Sequence, residues 1–273
     1  MAGPYVEYYE ASGRKSEEAN YVDDLLTGLL IRYYDVASGQ IRYQSEYLND
    51  QQHGMETEWL EDGTKIRERE YQFDEDHGIY REWYDNGVLR STGHYQNDEQ
   101  HGVFSVWNTD GQQIQETGKK DGMRHGTWTY WTYSSGVVTS KRAERYVEGR
   151  RTGIWTWWNE DGQVYRETEY ENDTEIRWVD WRWWPNGQLQ YERVEEDIDG
   201  IRYWTVTTWH EDGTRKREEH QKQYMDHGIW LEWDGQGRKI EEEVYELGEL
   251  LSSTVWRYYT NGQMSSEAKD VYE

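Results

Sequence analysis

Five histidines stand where a metal site would be sought first. His53, His77, His101 and His125 recur every 24 residues, each followed by glycine, and His227-Gly228 repeats the element. Imidazole is a common metal ligand, but coordination needs nitrogens about 2.0–2.1 Å from one shared ion. Positions one repeat apart in a β-meander lie two strands apart, about 9–10 Å. The spacing therefore predicts a structural restart between hairpins, with no metal. Protonation of all eight histidines would reduce the formal charge of −25 by eight, a weaker route to pH response.

Glutamates form a second ladder at Glu18, Glu68, Glu116, Glu167, Glu192, Glu218, Glu242 and Glu267, with Arg67, Arg166 and Arg217 beside several of them. A solvated face with cross-strand pairs is one reading. The functional reading is an acidic stripe for a basic partner, centred on Glu167, Glu192, Glu218 and Glu242, or for scattered divalent cations. Tryptophan gives a sharper signal, because nine of the 17 fall between Trp128 and Trp184. By strand alternation, Trp155, Trp157 and Trp184 point away from the face that Trp158, Trp181 and Trp183 share. Exposed Trp is a hot-spot residue in interfaces, so Trp131, Trp155, Trp157, Trp178 and Trp184 become candidate partner anchors. The competing expectation is that both faces are covered because the sheet curls. Aromatic platforms also stack sugars, which keeps a glycan in view.

No catalytic constellation accompanies these residues. Gly235-Gln236-Gly237 runs through a hairpin turn and is no phosphate loop, and no His-Glu-x-x-His helix or nucleophile elbow occurs. Carboxylates are too abundant for proximity to mean anything, so no enzyme and no cofactor are expected. With no Cys there is no disulfide frame and no Cys-ligated zinc. No apolar run is long enough to span a bilayer, and the amino terminus lacks a signal-peptide layout, so a cytoplasmic protein is expected. A net charge of −25 opposes nucleic acid and anionic membranes and favours basic partners.

The elements that must hold these residues come from an internal repeat. Glycines recur at Gly13, Gly39, Gly63, Gly87, Gly111, Gly136, Gly162, Gly187, Gly213, Gly237 and Gly262, at intervals of 24–26 residues, and seven follow Asp or Asn. Asn-Gly and Asp-Gly predict type I′ turns with two positive-φ residues, hence strand, turn, strand in every unit. Four residues before the glycine stand Trp59, Trp83, Trp107, Trp158, Trp183, Trp209 and Trp233, with Tyr9 and Tyr258 in the first and last units. Tyr34 and Trp131 stand five before it, which predicts one extra turn residue. Further back on the same face, Met55, Ile79, Val103, Ile154, Val179 and Ile229 extend an apolar stripe. Eight residues after the turn come Tyr21, Tyr47, Tyr71, Tyr95, Tyr170 and Tyr245, and polar segments such as Asn97-Asp98-Glu99-Gln100 link the hairpins.

Composition agrees. Val, Ile, Leu and Phe together number only 41, against 55 acids, yet 17 Trp and 24 Tyr can replace an aliphatic core. The prediction is an all-β chain, residues 1–273 forming one array of about eleven β-hairpins in an elongated antiparallel meander of about 22 strands. At about 4.8 Å per strand it would run about 105 Å, wound by native twist into a superhelical ribbon. A β-helix with one coil per unit is the alternative.

The unit Ile79 to Gly102, with Trp83-Tyr84-Asp85-Asn86-Gly87-Val88-Leu89, then Tyr95 and His101-Gly102, resembles the MORN-repeat-variant family in its bacterial form. The likeness runs from about Tyr5 to Glu267 and weakens near Asp173–Arg177 and Glu249–Ser253, where the His-Gly element is missing. It implies an interaction scaffold, and since some bacterial members are antitoxins paired with toxins, it implies such a role here. It also implies the membrane and cytoskeletal links of eukaryotic members, of which the net charge opposes lipid binding.

The sequence thus predicts a non-enzymatic acidic scaffold for a basic protein partner, with the antitoxin or immunity type as what the resemblance implies. The alternative is head-to-tail self-assembly through uncapped sheet ends at Tyr5, Tyr8, Tyr9, Tyr258, Tyr259 and Tyr272. Glu7, Glu10, Glu267, Asp270 and Glu273 would oppose it by repulsion.

Overall fold

The computed structural model describes residues 3–272, and they form one antiparallel sheet of 27 strands with no helix. Pairing follows chain order, each strand hydrogen-bonding to its sequence neighbours, as in a meander. The strand count exceeds the expected 22 because five of the leading strands are broken in two. Leu25–Leu26, Glu99–Gln100, Met123–Arg124, Arg150–Arg151 and Met225–Asp226 are each cut off by a single residue from the strand that follows. The interrupting residue is His101, His125 or His227 in three of them, and the next residue is a positive-φ glycine in all five. The His-Gly element is thus a bulge that lets the strand bend.

Two kinds of turn join the strands, and they sit opposite to expectation. Gly87 has φ of 80° but Asn86 does not lie in the left-handed region. Gly87 N–H donates to Tyr84 O at 2.8 Å, and Tyr84 N–H to Val88 O at 2.8 Å. That is a three-residue loop, a turn followed by a left-handed glycine, rather than type I′. The same pattern recurs at Gly63, Gly111, Gly162, Gly187, Gly213, Gly237 and Gly262. The two-residue turns with φ positive at both centres are the supposed linkers: Asp23-Asp24, Asn49-Asp50, Asn97-Asp98 and Asn172-Asp173 among them. Both kinds of turn are hairpin tips, so strand, turn, strand stands around each of these glycines and only the turn type differs. Gly136 also departs from the expectation of an extra turn residue. It closes a two-residue turn with Ser135, and the strand Gly126–Ser134 runs longer instead.

The chain packs as two compact units, Met1–Val138 with Arg145–Arg150, and Thr139–Glu144 with Arg151–Glu273. In the first, Ala19, Leu30, Phe104, Trp128 and Tyr146 are buried among Ser45, Glu56, Thr57, Ser105, Thr117 and Thr129. Thr57 lies opposite Glu68 and Ser105 opposite Glu116, so small hydroxyl side chains leave room for the long glutamates between them. On the reverse face Phe104 meets Tyr95 edge-on at 5.5 Å, and Trp128 meets Tyr146 at 5.5 Å. In the second unit, Val179, Trp155 and Trp204 are buried with Thr156, Thr168, Glu195, Thr207 and Thr254. Adjacent residues of one strand, Trp155 and Thr156, point to opposite faces and are both buried. Covered faces on both sides explain how so few aliphatics suffice.

The predicted apolar stripe is corrected accordingly. Val179 is fully buried, but Val103, Ile154 and Ile229 are about half exposed at 59%, 50% and 48%. At that end of the hairpin the core lies on the other face, where Trp155 stacks on Tyr170 at 4.9 Å and Trp230 on Tyr245 at 4.7 Å.

Candidate binding site

Five tryptophans were expected as exposed anchors, and the structure divides them. Trp155 is 9% exposed and packed between Tyr170 and Trp157, so it is core and cannot anchor a partner. Strand alternation exposes a side chain only where one face is open, and here Trp155 and its neighbour Thr156 are both buried. Trp157 is half-buried beside it, at 6.3 Å. Trp178 is half-buried between the guanidiniums of Arg193 and Arg166, at 4.8 and 5.8 Å from its ring centre. Trp184 donates its indole N–H to Trp209 O at 3.4 Å. Trp131, in the first unit, is half-buried.

The glutamate ladder lies on the face that carries Trp158 and Trp183, and each of its four central members has a partner nearby. Glu167 accepts from Thr156 at 3.4 Å, Glu192 from the Trp181 indole at 2.8 Å, and Glu242 from Lys239 at 2.8 Å. Glu218 accepts from Arg215 at 2.9 Å and faces His220 at 3.1 Å. A more acidic place is on the reverse face. Glu241 lies directly opposite Glu232 in the sheet, with Glu243 two residues along. Burial, then Glu243 and Glu232, push the Glu241 carboxyl above its ordinary range, and Arg217 offsets them only in part.

The histidine side chains stay within the bulges. The Nδ1 atoms of His53, His77, His125 and His227 are buried with no hydrogen-bond partner among the described residues, while that of His101 lies 3.5 Å from the Asp121 carboxylate. Of the expected assembly residues, Tyr5 and Tyr8 lie in the strand Gly3–Tyr8 and Tyr258 ends the strand Glu249–Tyr258. Tyr9 and Tyr259 open turns, and Tyr272 follows the strand Met264–Val271. Tyr8 and Tyr259 are each 59% exposed, and Tyr9 donates to Tyr33 O at 2.6 Å.

That last bond belongs to a series that sequence reading missed. The residue after the strand-end aromatic reaches across to the next unit's strand-end carbonyl. Tyr34 donates to Trp59 O and Tyr84 to Trp107 O, both at 2.8 Å, and in the second unit Trp184 reaches Trp209. The doubled aromatics Tyr33-Tyr34, Trp83-Tyr84 and Trp183-Trp184 were the available signal. At Asn159 the clasp is absent. Its Oδ1 accepts from Asp161 and Gln163 N–H at 3.1 and 2.9 Å, closing its own turn. Beside it opens a cleft of about 650 Å³, lined by Asn159, Asp161, Gln163, Tyr165, the strand end Trp181–Trp184 and the following Pro185-Asn186-Gly187.

Comparison with known proteins bears on the repeat. Residues 76–97 and 151–172 match the MORN repeat variant family. No curated protein matches the sequence. Among solved structures, the crystal structure of TcdB2-TccC3-TEV contains a chain 12% identical to this one, with 97% of this chain and 19% of that chain covered and a TM-score of 0.20. The protein spans about a fifth of that chain, a likeness too slight to define a shared fold. Each matched segment is one hairpin with its three-residue turn, Glu75–Trp83 to Leu89–Gln96 and Gly153–Trp158 to Val164–Glu171. Two segments of the chain, one in each compact unit, are thus similar to the MORN repeat variant.

Proposed function

We propose that the protein is a non-enzymatic scaffold whose second unit binds a basic protein, and that it neutralises that partner in the manner of an antitoxin or immunity protein. The observation that carries this reading is the Glu232–Glu241 pair with Glu243 beside it. Like charges held directly opposite each other destabilise a sheet, and Lys or Arg from a partner would relieve that repulsion. Trp230, stacked on Tyr245 at 4.7 Å, gives the same face an apolar contact surface. An acidic surface also steers basic partners and accelerates encounter, an effect that salt suppresses.

The test is co-purification from cells with mass-spectrometric identification, followed by affinity measurement against the isolated partner. The expected partner is basic, and its affinity falls by about tenfold or more in Glu241→Gln/Glu243→Gln and again at 0.5 M salt. A neutral or acidic partner, or a basic one indifferent to both changes, overturns the reading.

A further inference from the structure

We propose that the cleft between the turns at Asn159–Gln163 and Trp184–Gln188 binds a neutral carbohydrate. Its volume of about 650 Å³ falls among ligand sites of about 300–1,000 Å³ and suits two or three sugar rings. Its first turn position holds Asn159, which makes no clasp to the next turn. Where Tyr34 or Tyr84 occupies the first turn position, the ring spans the gap to the next turn and its hydroxyl closes on a carbonyl. Asn108 leaves a similar gap, but Gln112 crosses it to Gly136 O at 3.1 Å. Among the described residues, no side-chain hydrogen bond joins the Asn159 turn to the Trp184 turn.

The lining chemistry selects the ligand. Trp183 gives its indole N–H to Val164 O and Trp181 gives its own to Glu192, each at 2.8 Å. What these residues have left to offer is ring surface, with Tyr165 and Trp184 beside them. Flat aromatic surface matches the C–H face of a sugar ring. The Asn159 and Asn186 side chains are occupied by their own turns and by Glu211 O. The Asp161 carboxylate, the Gln163 amide N–H₂ and the Arg182 guanidinium make no hydrogen bond or ion pair among the described residues, although Arg182 stacks on Tyr191 at 4.9 Å. Carboxylate and guanidinium each meet hydroxyl groups in two-pronged geometry, and Gln163, whose Oε1 accepts from the Asn159 side chain at 3.4 Å, adds its N–H₂ as a donor. One carboxylate and one guanidinium leave the lining without net charge. Arg182 therefore disfavours a cationic side chain, and Asp161 disfavours an anion.

The full chain would be applied to a glycan array carrying neutral, sialylated and sulfated sugars, and the best neutral trisaccharide titrated by saturation-transfer NMR. The expected result is selective binding of neutral glycans, weakened about tenfold or more by Asp161→Ala. Asn159→Tyr installs the clasp used by other units and is expected to abolish binding with thermal stability unchanged or raised. Should Asn159→Tyr not fold, Asp161→Ala decides alone, because its exposed turn carboxylate holds nothing in the fold. No neutral glycan above background, binding of charged glycans only, or binding unchanged in the variants overturns the assignment. The outcome is independent of the basic-partner reading, which rests on other residues.

Discussion

Two glutamates in the second unit show how one residue type acts with opposite sign. Glu195 is 5% exposed, accepts from the Trp204 indole at 2.7 Å and from Arg202, and has Arg193 at 3.7 Å. Its Ala substitution would orphan a buried indole N–H and remove a charge-assisted bond. The expected loss is about 1–3 kcal/mol in urea unfolding, reduced from the value for a fully buried pair because both arginines are partly exposed. Among the described residues Glu241 accepts no hydrogen bond from a cation, and it faces Glu232, with Arg217 offsetting the repulsion only in part. Glu241→Gln is expected to raise stability by up to about 1 kcal/mol at pH 7. The pH dependence gives the sign independently. A carboxyl whose folded pKa is raised binds more protons folded than unfolded, so its contribution to stability falls as pH rises from the ordinary carboxylate value through the raised one. Urea midpoints of wild type and Glu241→Gln should therefore differ most above that window and converge below it. A variant equally or less stable at pH 7 means that Glu241 makes a favourable bond.

At the scale of elements, the sequence revealed the period but inverted the turns. Gly87 with Asn86 looked like a type I′ pair, yet the five-residue span Tyr84–Val88 closes around one left-handed residue. The real two-residue turns include Phe73-Asp74, Gln223-Tyr224 and Leu247-Gly248, whose first residues carry no turn signature. Stacking accounts for two of these. Phe73 lies 4.7 Å from His53 and Tyr224 4.3 Å from Trp204, which offsets the strain of a left-handed backbone. Leu247 has φ of 50° and remains 49% exposed. Left-handed backbone costs a side chain such as Leu about 1–2 kcal/mol, and Asn tolerates it better. Leu247→Asn is thus expected to raise the melting temperature by a few degrees; no rise would mean that Leu247 packs more than its exposure indicates. Gly93 carries the reverse prediction. A β-carbon there would lie 2.1 Å from the Phe104 ring, which is 8% exposed and packed on Tyr95. Gly93→Ala should cost about 1–3 kcal/mol through displacement of that ring. The sequence could not reveal Gly93, since its role depends on which ring occupies the facing strand. The cleft was hidden for a related reason, since its lining joins residues of two turns that only the fold brings together.

For the molecule as a whole, charge is the property that no local pairing removes. Even if all 30 Lys and Arg were paired, 25 of the 55 acids would remain. Many bases are in fact committed, among them Arg166 to Asp180 at 2.7 Å, Arg217 to Glu219 at 2.7 Å and Arg32 to Glu17 at 2.8 Å. These partly exposed pairs each contribute little, whereas the surplus carboxylates repel one another along the sheet. Ladder positions such as Glu167 and Glu192, whose hydrogen-bond partners are the neutral Thr156 and Trp181, lie on strands separated by one intervening strand, about 9–10 Å apart across the sheet. At 0.01 M salt the screening length is about 30 Å, so each glutamate feels several ladder neighbours; at 0.15 M it is about 8 Å, shorter than one ladder step. Added NaCl should therefore stabilise the fold, with most of the gain below about 0.2 M, because repulsion is screened over longer distances than the contact ion pairs. Calorimetry between 0.01 and 0.3 M NaCl at pH 7 should show the melting temperature rising and then levelling. A fall over that range would mean that the arginine–carboxylate pairs outweigh the surplus charge, and the acidic surface would then be compensated rather than poised for a basic partner.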